Sequence, residues 1–173
     1  GNVVLFGAGG PVGASTITSL KDHYTLRVTD LRPMEEVAVS PPQNPRAPIP
    51  EVLGAPHENR VVDITDYDQV LAACQGMDAA IDLSVLRPHP VLAFHVNMIG
   101  AYNVAKACAA CGVKRLIHTG PFHTSLNFNA DYWHDFQLYD GIQLHPGDDL
   151  YALTKYLGGH ITRVFAEREG LEV

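Results

Sequence analysis

The 173-residue sequence has few cysteines, few basic residues and no long apolar stretch. Its 3 cysteines are too few, and odd in number, for a disulfide scaffold, and they suit a reducing cytoplasm. With 12 basic and 19 acidic residues, the net charge of −7 argues against a nucleic-acid partner, because phosphate binding needs clustered Lys and Arg. No apolar run approaches the ~18 residues of a membrane span, and no charged-then-apolar leader suggests a signal peptide. We therefore expect a soluble, cytoplasmic protein with neither nucleic acid nor membrane as its partner.

Two candidate site types are disfavoured by position and spacing. Cys108 and Cys111 have CxxC spacing, but they end a predicted helix, where the dipole disfavours a thiolate, so we interpret them as small buried side chains. His123, His134 and His145 are eleven residues apart, which matches no compact metal-ligand motif. We expect these histidines in a loop or on the surface, and we expect no metal.

Apolar segments alternate along the chain with segments of helical periodicity. Asp66 is a plausible N-cap, Pro90 lies near a helix start and Gly112 follows a helix end. The proline-rich segment 31–59 is predicted to be a long irregular connection. Strands are predicted at 2–6, 24–30, 60–64, 78–85 and 113–119, with 171–173 as the start of a sixth. Helices are predicted after the first glycines and at 66–76, 89–112 and 148–170.

This alternation predicts an α/β fold, a Rossmann-type doubly wound parallel sheet with helices on both faces. Ligands of such sheets bind at the carboxyl ends of the strands, near the point where the strand order reverses. The glycines after the first strand and the loop after the fifth are therefore placed where a site is expected.

The segment "GAGGPVG" carries the first functional signal. Gly7, Gly10 and Gly13 have the spacing GxxGxxG, directly after a strand and at the start of a helix. Glycines here let the backbone approach a pyrophosphate at a helix N-terminus. Pro11 suits the first helical turn, and Val12 stands where the GxGxxG version has glycine. The segment predicts dinucleotide binding.

Asp30 ends the second predicted strand, 23 positions after Gly7. A carboxylate there accepts hydrogen bonds from ribose hydroxyls and repels a 2′-phosphate, which favours NAD over NADP. Arg32 is close enough in sequence to contact such a phosphate, so NADP stays open as the less favoured cofactor.

Tyr151 and Lys155 are one helical turn apart in "YALTK". A phenol ordinarily ionises with a pKa near ~10, and a neighbouring ammonium favours the phenolate form. The pair is therefore a candidate acid/base, although the same spacing also arises by chance on amphipathic helices.

Taken together, these segments resemble the extended short-chain dehydrogenases/reductases, the NAD-dependent epimerase/dehydratase family. The resemblance spans essentially the whole chain. The matching segments, in the family's order, are GxxGxxG at 7–13, Asp30, "VVDITD" at 61–66, "NMIGAYNVAKACAACGVKRLIHT" at 97–119 and "YALTK" at 151–155.

The resemblance implies a role for each matching position. Tyr151 would be the acid/base, and Lys155 would hold the nicotinamide ribose and favour ionisation of Tyr151. Asn97 would lie near the active site, although for Asn97 and Ser84 capping or packing is an equal alternative. The implied cofactor-binding positions are Gly7, Gly10, Pro11, Val12, Gly13, Asp30, Leu31, Asp63, Ile64, Leu83, Ser84, Asn97, Tyr151 and Lys155.

Two departures from the family pattern bear on function. The Ser or Thr that follows the fifth strand and polarises the substrate oxygen is replaced by Pro121, which has no hydroxyl, and Thr124 is our candidate substitute. The chain also ends at Val173, where the family continues into a substrate-binding region. We expect residues 1–173 to be an NAD(P)-binding Rossmann domain, the front part of a longer protein.

Two main functions remain open. The first is an NAD-dependent epimerase, dehydratase or dehydrogenase acting by hydride transfer on a hydroxylated small molecule, such as a nucleotide sugar. The alternative is a non-catalytic NAD(P)-binding sensor or regulatory protein. The resemblance also implies a homodimer built from the helices at about 90–111 and 148–169.

Overall fold

The computed structural model describes residues 1–42, 44–87, 89–120 and 149–173. Within these residues, five parallel strands form one sheet in the order β3-β2-β1-β4-β5. The strands are β1 (Asn2–Phe6), β2 (Thr25–Asp30), β3 (Glu58–Val61), β4 (Ala79–Asp82) and β5 (Arg115–His118). The helices are α1 (Pro11–Leu20), α2 (Met34–Val39), α3 (Tyr67–Cys74), α4 (Pro90–Phe94), α5 (Gly100–Cys111) and α6 (Leu150–Glu169). The order reverses between β1 and β4, so the predicted Rossmann-type sheet is confirmed.

The central strand β1 contributes side chains to the apolar clusters on both faces of the sheet, because successive strand residues point to opposite sides. Val4 and Phe6 belong to the apolar cluster that includes Val70 of α3 and Val104 of α5. The alternate positions Val3 and Leu5 belong to the cluster on the other face, with residues of α1, α2 and β2. A strand buried on both faces explains why "VVLF" reads as one continuous apolar run.

The predicted helix signals act as expected. The Asp66 side chain accepts hydrogen bonds from the backbone N–H groups of Asp68 and Gln69, which caps α3. Pro90 is the first residue of α4, and Gly112 follows the last residue of α5. The predicted long helix contains a π-helical segment, His95–Ile99, between α4 and α5.

The prediction for segment 31–59 and the predicted bounds of β3, β4 and β5 were wrong; β5 is Arg115–His118 rather than 113–119. The segment 31–59 is not wholly irregular, since α2 forms between Pro33 and Ser40, in a stretch free of proline. β3 is Glu58–Val61 rather than 60–64, because pairing with β2, not apolar content, sets the register of this mostly exposed edge strand. β4 ends at Asp82, and the residues that follow form the site described below.

The described part also contains the start of the expected sixth strand. The Leu116 N–H donates to Glu172 O at 2.7 Å, and the Glu172 N–H donates to Lys114 O at 3.2 Å, beside β5. No helix among the described residues is long and apolar enough to cross a membrane.

Candidate cofactor and acid/base site

The connection from β1 to α1 is a tight glycine turn. Gly7 has φ +68°, and a Cβ built there would lie 2.6 Å from Ser84 Cα. A Cβ at Gly13 would lie 2.1 Å from the Ala8 carbonyl oxygen. Around Gly10, by contrast, no atom of the described residues lies within 4 Å of such a Cβ. The turn is therefore packed tightly at Gly7 and Gly13, while the surface over Gly10 is open.

The N-terminus of α1 opens onto this surface. Gly10 is its N-cap and Pro11 its first residue, so the N-cap residue has no side chain with which to cap the helix. The first turn carries no acidic residue, and Val12 is 62% exposed. Backbone N–H groups without intrahelical partners and the helix dipole favour a phosphate at this place.

The side chain of Asp30, at the end of β2, is hydrogen-bonded to the same turn. Its Oδ2 accepts a hydrogen bond from the Gly9 N–H at 2.8 Å, and its Oδ1 accepts from the Arg32 N–H at 3.4 Å. A Cβ on Gly9 would lie 2.6 Å from Asp30 Oδ2. Gly9, which the glycine spacing did not single out, is thus required by the carboxylate across from it.

A cleft of about 430 Å³ follows the carboxyl edge of the sheet beside the turn. Arg32 lines it, and Leu31 lies at it with 66% of its surface exposed. Leu83 and Asn97 are buried and do not line it. The structure brings six predicted cofactor positions together at this cleft, namely Gly7, Asp30, Leu31, Asp63, Ile64 and Ser84.

The segment after β3 is fixed by its own hydrogen bonds. Asp63 Oδ1 accepts from the Thr65 N–H at 2.8 Å and from Thr65 Oγ1 at 2.7 Å. The Asp63 N–H donates to Gln69 Oε1 at 2.9 Å, and Ile64 O accepts from Asn103 Nδ2 at 3.0 Å. These contacts hold the wall of the cleft in place.

Asn97 is 1% exposed and connects three segments of the protein. Its Oδ1 accepts from the Leu86 N–H and its Nδ2 donates to Leu86 O, both at 3.0 Å. Nδ2 also donates to Thr154 Oγ1 at 2.8 Å, and Thr154 Oγ1 in turn donates to Tyr151 O at 2.8 Å. Both amide hydrogens are therefore used within the protein, which favours the packing alternative for Asn97.

Tyr151 and Lys155 lie in the first two turns of α6. Lys155 is only 2% exposed, and its Nζ donates to Ser84 O at 3.2 Å. Tyr151 is half-buried, and the guanidinium carbon of Arg87 lies 5.0 Å from the centroid of its ring. Ser84 thus contacts Lys155 and also packs against the backbone of Gly7, so that it joins the two predicted halves of the site.

A buried acidic residue lies beneath this pair. The side chain of Asp82 is 2% exposed, its Oδ1 accepts from the Ser84 N–H at 3.0 Å, and its Oδ2 lies 2.9 Å from His118 Nδ1. Burial, the largest influence, raises the pKa of Asp82, but the His118 hydrogen bond, the charges of Lys155 and His118 and the Ser84 N–H together hold that pKa below its ordinary value. Burial lowers the pKa of Lys155, and Asp82 offsets only part of that effect.

Asp82, His118 and Arg87 were missed by sequence reasoning. The sequence did contain one signal, since Asp82 and His118 are polar residues that end two apolar strands. The structure shows that they are direct partners in the parallel ladder of β4 and β5.

Cys108 is buried as predicted, whereas Cys111 is half-buried. The hydrogen bond with Cys74, together with burial, raises the pKa of Cys108, and burial raises that of Cys111. Both shifts disfavour a thiolate. Pro121, Thr124, His123, His134 and His145 lie outside the described residues.

The family model of the 3-beta hydroxysteroid dehydrogenases/isomerases matches residues 4–137. The chain belongs to this family. This match confirms the resemblance to the extended short-chain dehydrogenases/reductases that the motifs indicated.

Curated relatives are similar over nearly the whole chain. The L-arabinose 1-dehydrogenase (NAD(P)(+)) of Haloferax volcanii is 25% identical, over 99% of this chain and 63% of the relative. The uronate dehydrogenase of Pseudomonas putida is also 25% identical, over 98% of this chain and 57% of the relative. The chain therefore spans about three fifths of the length of these proteins.

Solved structures show the same fold at lower identity. A variant of uronate dehydrogenase from Agrobacterium tumefaciens, complexed with NAD, superimposes with a TM-score of 0.78 at 22% identity, covering 98% of this chain and 57% of its own. The UDP-glucose 4-epimerase of Thermus thermophilus, in complex with NAD, gives 0.75 at 18% identity, covering 99% and 52%.

Proposed function

We propose that this chain is the NAD-binding, acid/base part of an NAD-dependent dehydrogenase or epimerase that acts on a hydroxylated small molecule. The observation that carries the proposal is the position of Ser84, which packs against Gly7 of the glycine turn and accepts the hydrogen bond of the buried Lys155 amine. This contact supports the proposal that the cofactor site and the acid/base pair share one edge of the sheet.

The residues present fit NAD on three counts. No atom of the described residues lies within 4 Å of a Cβ built at Gly10, the α1 N-terminus offers N–H groups without intrahelical partners, and the Asp30 carboxylate lies at the cleft. We propose that Asp63 and Ile64 line the adenine side of this site. Gly7, Gly10, Pro11, Val12, Gly13, Leu31, Leu83 and Ser84 are proposed as the remaining cofactor-binding positions, and Asn97 as a residue that positions them.

When bound, NAD supplies the hydride acceptor or donor of this chemistry. We propose that Tyr151 gives or takes the proton of the substrate hydroxyl as a general acid/base. Lys155 lies one turn along α6 from Tyr151, and the guanidinium carbon of Arg87 lies 5.0 Å from the centroid of the Tyr151 ring. Thr124 remains our candidate for polarising the substrate oxygen, in place of the hydroxyl that Pro121 lacks.

The substrate class is proposed from the relatives. Three curated relatives are named for L-arabinose, glucose 6-phosphate and uronate, all of them sugars or sugar derivatives. We therefore propose a free or derivatised sugar as the substrate, with a nucleotide sugar as the form that the epimerase neighbours suggest.

The test separates catalysis from cofactor binding alone. NAD affinity is measured by calorimetry, and NAD reduction is then followed with a panel of aldoses, sugar phosphates, uronates and nucleotide sugars. We expect both binding and substrate-dependent turnover, the latter strongly reduced in Thr124→Val with unchanged NAD affinity. Binding without turnover or sugar isomerisation would favour the non-catalytic alternative, which the proline at position 121 permits; absence of binding would contradict both.

We also propose a homodimer through α5 and α6. These helices pack on each other, and part of their apolar surface is exposed, including Tyr102 at 41% and Val164 at 47%. Sedimentation at micromolar concentrations is expected to show a dimer, and a monomer throughout would contradict this arrangement.

A further inference from the structure

A network of buried polar groups, Asp82, His118 and the Ser84 backbone, lies next to Lys155. The Ser84 N–H donates a hydrogen bond to the Asp82 carboxylate at 3.0 Å. The backbone carbonyl oxygen of Ser84 accepts a hydrogen bond from the Lys155 amine at 3.2 Å. The carboxylate and the ammonium are thus bound to opposite ends of a single residue. Both side chains are almost fully removed from solvent, at 2% exposure each.

Helix α6 comes close enough to make this network because of Gly158, three residues after Lys155. A Cβ at Gly158 would lie 2.5 Å from Asn97 O and 3.4 Å from His118 Nε2. The helix face that carries Lys155 therefore packs on the π-helical segment at Asn97 and reaches His118 at the end of β5, where Asp82 and His118 are paired in register.

We propose that Asp82 is a positioning residue that acts as the buried counter-charge of Lys155 and keeps its amine cationic beside Tyr151. Burying an isolated ammonium away from solvent costs much free energy, and it would release its proton unless an opposite charge were near. Asp82 supplies that charge, and its own ionised form is stabilised by the Ser84 N–H and by His118. For the consequence in catalysis, this inference rests on the proposed function; the charge coupling itself does not.

The other charged groups around Lys155 do not replace Asp82. His118 on β5 contacts Asp82 rather than Lys155. On its own helix Lys155 has Tyr151 one turn away, and the loop after β4 adds the cation Arg87 beside that ring. Among the described residues, Asp82 is the acidic group that raises the pKa of Lys155.

The test is an NMR titration of lysine side chains in the full chain, without cofactor or substrate. The sequence has only four lysines, Lys21, Lys106, Lys114 and Lys155, so that a sample labelled at the lysine ε-carbon gives few signals, and Lys155→Met assigns the one of interest. We expect Lys155 to be charged at neutral pH in the unaltered chain. In Asp82→Asn, which keeps the side-chain shape, we expect the titration midpoint of Lys155 to move to lower pH. The titration midpoints of the other three lysines should stay in place.

Control variants distinguish charge from general disturbance. Asp68→Asn removes an equal charge from an exposed position in the first turn of α3 and should leave Lys155 unchanged. Should Asp82→Asn fail to fold, the reciprocal measurement decides, since Lys155→Met must then raise the pKa of Asp82, read at its labelled carboxyl carbon.

The outcomes are distinct from those of the proposed function. A neutral Lys155 at neutral pH in the unaltered chain, or an unmoved Lys155 midpoint in Asp82→Asn, would overturn the counter-charge role even if the protein reduces NAD. A shifted midpoint supports the role even if no substrate is found. With a substrate in hand, the pH profile of turnover should move in Asp82→Asn and not in Asp68→Asn.

Discussion

The Asp30 carboxylate accepts the Gly9 backbone N–H at 2.8 Å, so the residue expected to select the cofactor also holds the glycine turn. A substitution at Asp30 therefore has two separable effects. One is the loss of a negative charge at the cleft, and the other is the loss of an acceptor for a part-buried N–H group.

We predict that NAD binds more tightly than NADP and that Asp30→Asn narrows this preference while Asp30→Ala also loosens the turn. The asparagine oxygen still accepts the Gly9 N–H, whereas alanine leaves it unpaired, at a cost of about 1–3 kcal/mol. Calorimetry with both cofactors, combined with thermal unfolding of both variants, checks this. Equal or tighter NADP binding by the unaltered chain would mean that Arg32 dominates over Asp30.

Gly13 and Gly10 provide a matched pair of glycine-to-alanine changes. Gly13→Ala places a methyl group 2.1 Å from the Ala8 carbonyl oxygen, and we expect it to destabilise the fold by at least ~1–3 kcal/mol. Gly10→Ala meets open space and should cost less than ~1 kcal/mol, the usual scale of an N-cap change. Its effect should appear instead as weaker NAD binding, because the methyl group covers the phosphate surface. Equal stability losses in the two variants would contradict this division.

Asn97 is predicted to act by holding the Leu86 segment and α6 together. Asn97→Ala removes the partners of the Leu86 N–H and C=O and of Thr154 Oγ1, so we expect a loss of roughly 2–4 kcal/mol in unfolding free energy. Thr154→Val removes the Asn97–Thr154 contact and the bond from Thr154 Oγ1 to Tyr151 O but leaves both Leu86 contacts, and should cost distinctly less. Urea unfolding measures both. Weakened NAD binding in Asn97→Ala with unchanged stability would instead support direct cofactor contact.

The ionised form of Asp82 makes the stability of the fold depend on pH. The folded pKa of Asp82 lies below its ordinary value of 3.8, so its contribution is present above that pH and is lost as the pH falls through the folded pKa. We expect Asp82→Asn to cost roughly 3–5 kcal/mol at neutral pH, because it leaves Lys155 buried without its counter-charge. The difference between variant and unaltered chain should shrink below pH ~4. Urea unfolding at several pH values checks this, and a constant difference would argue for a steric cause.

Much of the fold was predictable because its signals are local. The glycines after β1, the Asp66 cap, Pro90 and Gly112 each fix one helix boundary through backbone geometry that neighbouring residues specify. The helix α2 was missed because prolines crowd segment 31–59, yet they flank its six residues rather than interrupt them. The limits of β3 were misplaced because an exposed edge strand takes its register from its partner.

The residues of the candidate site also differ in whether the local sequence could identify them. Gly7, Gly13 and Asp30 were identifiable because each belongs to a motif that is short or has a fixed spacing. Asp82 and His118 are 36 residues apart, and their contact follows from the pairing of β4 with β5. The burial of Lys155 likewise depends on Ser84, 71 residues away, and no local pattern encodes it.

Turnover of the Tyr151→Phe variant tests the central claim most directly. NAD reduction is measured with a substrate that the unaltered chain oxidises. The control is Tyr156→Phe, which deletes the same hydroxyl from a half-buried tyrosine that packs edge-to-face on His160 in the same helix. We predict that Tyr151→Phe keeps NAD affinity and loses turnover by at least ~10²–10⁴-fold, while Tyr156→Phe stays near the unaltered rate. Full turnover in Tyr151→Phe would contradict the acid/base role on which the proposed function depends.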